Sequence, residues 1–186
     1  DGSLSATGGT SKVVISGGGV SNSKSAGAKG IYEASKAYDA GPIAFKENDV
    51  FEYTVSLEDG TSHTVKLTAQ KDSAGNVSKL VGSNGREYAI TSAAGSAAAA
   101  TVAQIDAAIV QELNNTSLAG SYNITAKDGQ IKLEAMEEGT DTPRVSAMDA
   151  TWTIGGARAA TVEIGVDVTE PLDAGREIKA DSITLY

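Results

Sequence analysis

The sequence predicts an α+β protein, mostly β, in which antiparallel hairpins carry one amphipathic helix packed on a sheet, arranged as two small subdomains. Three observations predict it. Apolar and polar residues alternate with a period of two through residues 51–69, 122–135 and 162–168, the signature of half-buried strands. Asp59-Gly60, Asn84-Gly85 and Asp128-Gly129 punctuate the alternating runs, and such dipeptides favour the left-handed backbone of hairpin turns. A single stretch, SAAAATVAQIDAAIVQELNNTS at 96–117, changes to helical spacing.

The elements follow in chain order. Residues 1–30 are rich in Gly and Ser and read as loop, with Val13-Val14-Ile15 as a short edge strand. GGGVSNS within them lacks the Lys-Ser/Thr ending and the following helix of a phosphate loop. IYEASKAYDAGP (31–42) fits a short helix closed by Gly41-Pro42, or a strand.

In DVFEYTVSLEDGTSHTVKLTAQ, Phe51, Tyr53, Val55 and Leu57 share one face, as do His63, Val65, Leu67 and Ala69. A two-residue Asp59-Gly60 loop would put these sets on opposite sides of the hairpin. A pairing of Leu57 with His63 puts them together, so an odd-length loop is expected, such as three residues with a bulge. Asn84-Gly85 predicts a second hairpin with Val81 across from Tyr88.

The helix is predicted over about 101–114. Val102, Ile105, Ile109 and Leu113 form one narrow apolar stripe. Thr101 and Gln104 have the spacing of a capping box, and Asn114-Asn115 provide a stop. In GSYNITAKDGQIKLEAMEEG, a two-residue Asp128-Gly129 loop pairs Ala126 with Ile131, Ile124 with Leu133 and Tyr122 with Ala135, all on one face. The tail offers ATWTIGG, with Trp152 as a core anchor, then Val162, Ile164, Val166 and Val168 in alternation until Pro171, and IKADSITLY as a last strand.

Composition narrows the function classes. Ala, Gly, Ser and Thr make up nearly half of the 186 residues, aromatics are 5%, and the net charge is −9. Such a surface repels nucleic-acid phosphates and acidic membrane faces, and no Lys/Arg cluster offsets it. No apolar run has the length of a membrane span. The absence of cysteine removes disulfides and thiolate chemistry. The opening at Asp1 rather than Met is expected of a fragment or a processed chain.

Candidate chemical groups are few. His63 is the sole histidine, with no second histidine or cysteine to complete a zinc site, so a structural or simply semi-exposed role is expected. Glu134, Glu137, Glu138 and Asp141 are acidic enough for calcium but lack the spacing of a calcium loop, and read as a solvated turn. No Gly-x-Ser-x-Gly elbow occurs, and aromatics for a sugar platform are scarce. Asn-x-Ser/Thr triplets at Asn76, Asn114, Asn115 and Asn123 are expected by chance in such a composition. No catalytic, cofactor-binding or metal-binding residue is therefore assigned, no cofactor is expected, and the chain is read as a non-enzyme.

The run FEYTVSLEDGTSHTVKLTA, TVAQIDAAIVQELNN, GSYNITAKDGQIKLEA resembles the hook IN module in the outer, variable regions of bacterial flagellins and of hook-associated and cap proteins. AAIVQELNN and GSYNITAKDGQIKLEA carry the likeness, which covers about 45–142. The composition resembles those outer regions too. The resemblance implies a β-β-α-β-β module at 46–142 and a base subdomain formed by 1–45 paired with 143–186. It implies a structural, surface-exposed part of the extracellular flagellar filament, secreted, antigenic and hypervariable, serving motility. Its partners would be other flagellin subunits, through terminal helices absent from this chain, and host antibodies, with no nucleic acid and no membrane insertion. The alternative is a ligand- or carbohydrate-binding domain of a secreted adhesin or phage tail protein, or the outer domain of a cap or hook-associated protein.

Overall fold

The computed structural model describes residues 13–16, 21–24, 26–35, 43–90, 99–154, 157–158, 162–174, 176–179 and 182–185. The first half holds β1 (Val13–Ser16), β2 (Ser21–Lys24), β3 (Lys29–Ala34), β4 (Ile43–Ala44), β5 (Val50–Leu57), β6 (Ser62–Lys71), β7 (Val77–Gly82), β8 (Glu87–Ala89) and β9 (Ala99–Ala100). Helix α1 (Val102–Leu113) and a 3-10 turn at Ser117–Gly120 follow. Then come β10 (Tyr122–Lys127), β11 (Gln130–Glu138), β12 (Val145–Ile154), β13 (Ala157–Arg158), β14 (Val162–Ile164), β15 (Val166–Thr169), β16 (Arg176–Lys179) and β17 (Ser182–Leu185). The chain is α+β and mostly β, with its helix packed against antiparallel sheets.

Two sheets face a shared core. The larger has the order β13-β12-β5-β6-β7-β8, with β14 also on β12, and the smaller has the order β10-β11-β3-β15. Among the described residues there are also three two-stranded ribbons, β1–β17, β2–β16 and β4–β9, and an isolated bridge between Ala28 and Leu172. Phe51, Tyr53, Val55, Val65, Leu67, Met148 and Ala150 supply the inner face of the larger sheet; Tyr32, Tyr122, Ile131, Leu133 and Ala135 supply that of the smaller. Helix α1 touches β6 and β8 of one sheet and β10 and β11 of the other. Its Ile105, Ala108, Ile109 and Leu113 are fully buried between them.

The helix begins where the capping box places it. Thr101 Oγ1 accepts from Gln104 N, and Gln104 Oε1 accepts from Thr101 N at 3.0 Å. Asn114 is the C-cap. The β10–β11 register is Tyr122↔Ala135, Ile124↔Leu133 and Ala126↔Ile131, with Asp128 (φ 53) and Gly129 (φ 85) as the two left-handed residues of its turn. Trp152 is half-buried and its ring lies 4.1 Å from that of Phe51.

The β5–β6 loop has the odd length expected, three residues with a bulge, but its register and that of β7–β8 differ from expectation. In β5–β6 the loop has three residues, but Leu57 faces Thr61 rather than His63, and His63 pairs with Val55. In β7–β8 Tyr88 pairs with Leu80, and Val81 faces Glu87. Gly60 and Gly85 both take a left-handed φ (85° and 81°), and each loop closes through one further residue, Thr61 or Arg86. Both are three-residue loops with a glycine bulge, so Asn84-Gly85 does not form the two-residue turn its dipeptide suggests. A shift of two residues at Leu57 preserves the face. A shift of one at Val81 turns Leu80 inward instead.

The stretch 31–42 is strand at Ile31–Ala34, with 36–42 outside the described residues. The alternation from Val162 to Val168 is two strands. Gly165 stands between them, and the chain leaves β12 of the larger sheet for β3 of the smaller. Ser35 N donates to Gly165 O at 2.6 Å and fixes the corner.

Strands of 1–45 and 143–186 are joined in β1–β17, β2–β16 and β3–β15. They also enter both sheets of the expected 46–142 module, since β12 pairs with β5 and β3 pairs with β11. The sequence boundaries thus cut across both sheets, and one core cluster spans them.

Truncating Ile109 to Ala should cost about 2–5 kcal/mol, because a cavity would open between two sheets. Thr101→Ala should cost about 1 kcal/mol through the lost cap. Urea unfolding of the two variants checks both values, and a smaller loss for Ile109 than for Thr101 would contradict the packing described.

Candidate functional site

The helix stripe read from sequence is aliphatic, yet the helix buries two carboxylates beside it. Asp106 is 5% exposed and Glu112 4%. Burial of a charge requires partners, and each has one at a different sheet. Asp106 Oδ2 accepts from Gly129 N at 3.1 Å, which ties the helix to the tip of the β10–β11 hairpin. Glu112 Oε1 accepts from Tyr88 Oη at 2.6 Å, nearly two turns further on, at β8. Glycine at position 82 makes room for it: a Cβ there would overlap the Glu112 carboxylate. Sequence reading missed both acids. The only signal was their position directly beside the stripe, at i+1 from Ile105 and i+3 from Ile109.

Burial raises the tyrosines of the core, and at two of them these carboxylates add to it. Burial, then the bond to and charge of Glu112, push the Tyr88 phenol well above its ordinary value. Burial and the charges of Asp106 and Asp149 do the same to Tyr53, whose Oη donates to Met148 Sδ at 3.4 Å. Burial, with smaller contributions from Tyr32 and Asp59, raises Tyr122 to about 12. Tyr122 Oη donates to Pro143 O, and its ring meets that of Tyr32 edge-on at 6.3 Å. Burial also raises Tyr32, partly offset by the neighbouring Arg144.

Hollows open on the surface among the described residues. One, of about 460 Å³, lies between α1 and β10. Another, of about 220 Å³, is lined by Asp59, Thr61, His63, Ser117, Ser121 and Tyr122 among others. His63 sits half-buried at the rim of the core face. Asp59 holds its carboxylate on Thr61 Oγ1 and N at 2.7 and 2.9 Å, which lowers its pKa. Asp59 is therefore turned toward its own loop.

The remaining sequence candidates are dispersed. Glu134 lies 3.7 Å from Lys132 Nζ, and Glu137, Glu138 and Asp141 are exposed. Among the described residues no group of three or more His, Asp or Glu side chains converges as a metal ion requires. Within GGGVSNS, residues 21–23 lie in β2 and 17–20 lie outside the described residues. Asn76, Asn114, Asn115 and Asn123 are all exposed. Among the described residues no helix is long and apolar enough to cross a membrane. Comparisons with protein families, with curated proteins and with solved structures returned no match.

Tyr88→Phe should cost about 1–3 kcal/mol, because Glu112 loses its donor while staying buried, and Gly82→Ala should cost more. Chemical denaturation measures both. The raised phenols also set an alkaline limit. Below pH about 10 these tyrosines are protonated in folded and unfolded chains alike, and their contribution is constant. Above it the unfolded chain releases protons that the folded chain retains, so stability falls as pH rises from about 10 toward the folded values. Denaturation midpoints measured across that range should decline while tyrosinate absorbance lags that of free tyrosine.

Proposed function

We propose that the chain is a non-catalytic structural domain displayed on the outside of the bacterial flagellar filament, the outer region of a flagellin. The observation that carries this reading is the meeting of its two ends. β1 pairs with β17 from Val13↔Leu185 to Ser16↔Ser182, and β2 pairs with β16 from Ser21↔Lys179 to Lys24↔Arg176. A domain with this geometry can project from a longer chain without separating the segments that flank it.

Three further features support it. The β5–β6 hairpin, α1 and the β10–β11 hairpin follow one another in the order of the hook IN resemblance, with β7, β8 and β9 between the first two. The buried carboxylates of Asp106 and Glu112 bind the helix to its two sheets. A net charge of −9 keeps closely spaced copies from adhering to one another. In this role the contacts with other flagellin subunits belong to terminal helices outside this chain, and the exposed strand faces are what antibodies would meet.

Immunogold electron microscopy of the source cells, with antibodies raised against this chain, tests the reading. Gold along whole filaments is the expected outcome. Gold confined to filament tips or the hook junction would assign the chain to cap or hook-associated proteins instead. Gold elsewhere on the cell surface, or on phage tails, would replace the flagellar reading with that of an adhesin or tail protein.

A further inference from the structure

The hollow between α1 and β10 has the form of a strand-binding groove. On the helix side its wall is Ala103, Asp106, Ala107 and Val110, one stripe at helical spacing. On the other side it is five consecutive residues, Ile124 to Asp128. Consecutive residues line a hollow only when a strand presents its edge rather than one face. β10 is indeed the outermost strand of the smaller sheet.

The phase of the ladder shows which backbone groups that edge offers. Met136 N donates to Ser121 O at 2.9 Å, and Tyr122↔Ala135 begins the register. Antiparallel ladders alternate bonded and non-bonded pairs. The odd-numbered residues of β10 therefore bond to β11, and the N–H and C=O groups of Ile124 and Ala126 point to the open edge. Ala103 and Ala107 are exposed and small, which leaves space for an incoming backbone beside the helix.

The charges select the occupant. Among the described residues lining the groove, Asp128 is the exposed acid, the buried Asp106 lies behind it and Lys127 is the base, on a chain of net charge −9. That balance repels a second copy and favours a cationic guest. We propose that this groove binds an extended basic peptide segment of a partner protein by strand addition to β10. Alternate small apolar side chains would face Ala103 and Ala107, and a Lys or Arg would meet Asp128. The groove does not depend on the flagellar reading.

The synthetic peptide SHTVKLTAQK, which copies β6, is a suitable probe: strand-forming, basic and free of acidic residues. Titrated into the isotope-labelled chain, it should shift the backbone amide resonances of Ala103, Ala107, Ile124 and Ala126. Ala107→Trp fills the groove at an exposed site and should weaken binding about tenfold or more. Asp128→Asn keeps a residue that suits the turn and should weaken it severalfold, as should N-methylation of alternate peptide amides. Absence of binding at millimolar peptide, shifts located elsewhere, or an affinity indifferent to Asp128→Asn would each overturn the proposal. So would slow hydrogen exchange at the Ile124 and Ala126 amides in the free chain, since the edge would then already be covered.

Discussion

Helix α1 has to satisfy two sheets at once, and the rest of the structure depends on that constraint. A helix packed on one sheet needs only a stripe. Here Ile105, Ile109 and Leu113 lie in a core that also receives Leu67 and Leu80 from one side and Tyr122, Ile124 and Leu133 from the other. With aromatics at 5% of the chain, neither sheet could cover the other by bulk alone. The helix supplies the missing apolar volume, and its burial widens beyond an aliphatic stripe to take in Asp106 and Glu112. Those acids then act as locating pins, one at each sheet, because a buried carboxylate tolerates few positions in which its partners are met.

The surface ion pairs play a lesser part. Arg144 reaches Glu170 and lies 3.9 Å from Glu58, so it bridges the tip of the β5–β6 hairpin and the segment just after β15. Its partners are more than half exposed, and exposed pairs contribute little. Asp173 is better placed: it accepts from Thr140 N at 2.8 Å and from Thr140 Oγ1, pinning the turn at Gly139 against the chain beyond Pro171. Stability therefore rests on the two-sided core and its polar pins.

Local pattern revealed most of what is local. The cap at Thr101, the stripe on α1 and the β10–β11 register could be read because each is set by residues within a few positions of one another. The odd loop at Asp59-Gly60 was legible from the two faces that had to meet, though not its exact register; the loop length at Asn84-Gly85 was not, since the same dipeptide serves two-residue and three-residue turns and the choice lies in the whole hairpin's twist. The division of Val162–Val168 between two sheets was marked only by Gly165, and a glycine in a strand signals a bend without naming its destination. Burial of Asp106 and Glu112 was hidden because it depends on Gly129, Gly82 and Tyr88, which only the tertiary fold brings to them. The α1–β10 groove escaped for the same reason: no sequence pattern shows which strand of a sheet will be outermost.

The ribbon that joins β1 to β17 has a mechanical corollary. Val13 and Leu185, its outermost described rung, are also the points at which tension applied to the two ends would arrive. Opposed tension at one end of an antiparallel ribbon loads its rungs in sequence rather than together, so it peels like a zip. The two-sheet core carries its load across many rungs and side chains at once. Pulled by its ends, the domain would yield first at this tether and extend by a few rungs, cushioning the core behind it.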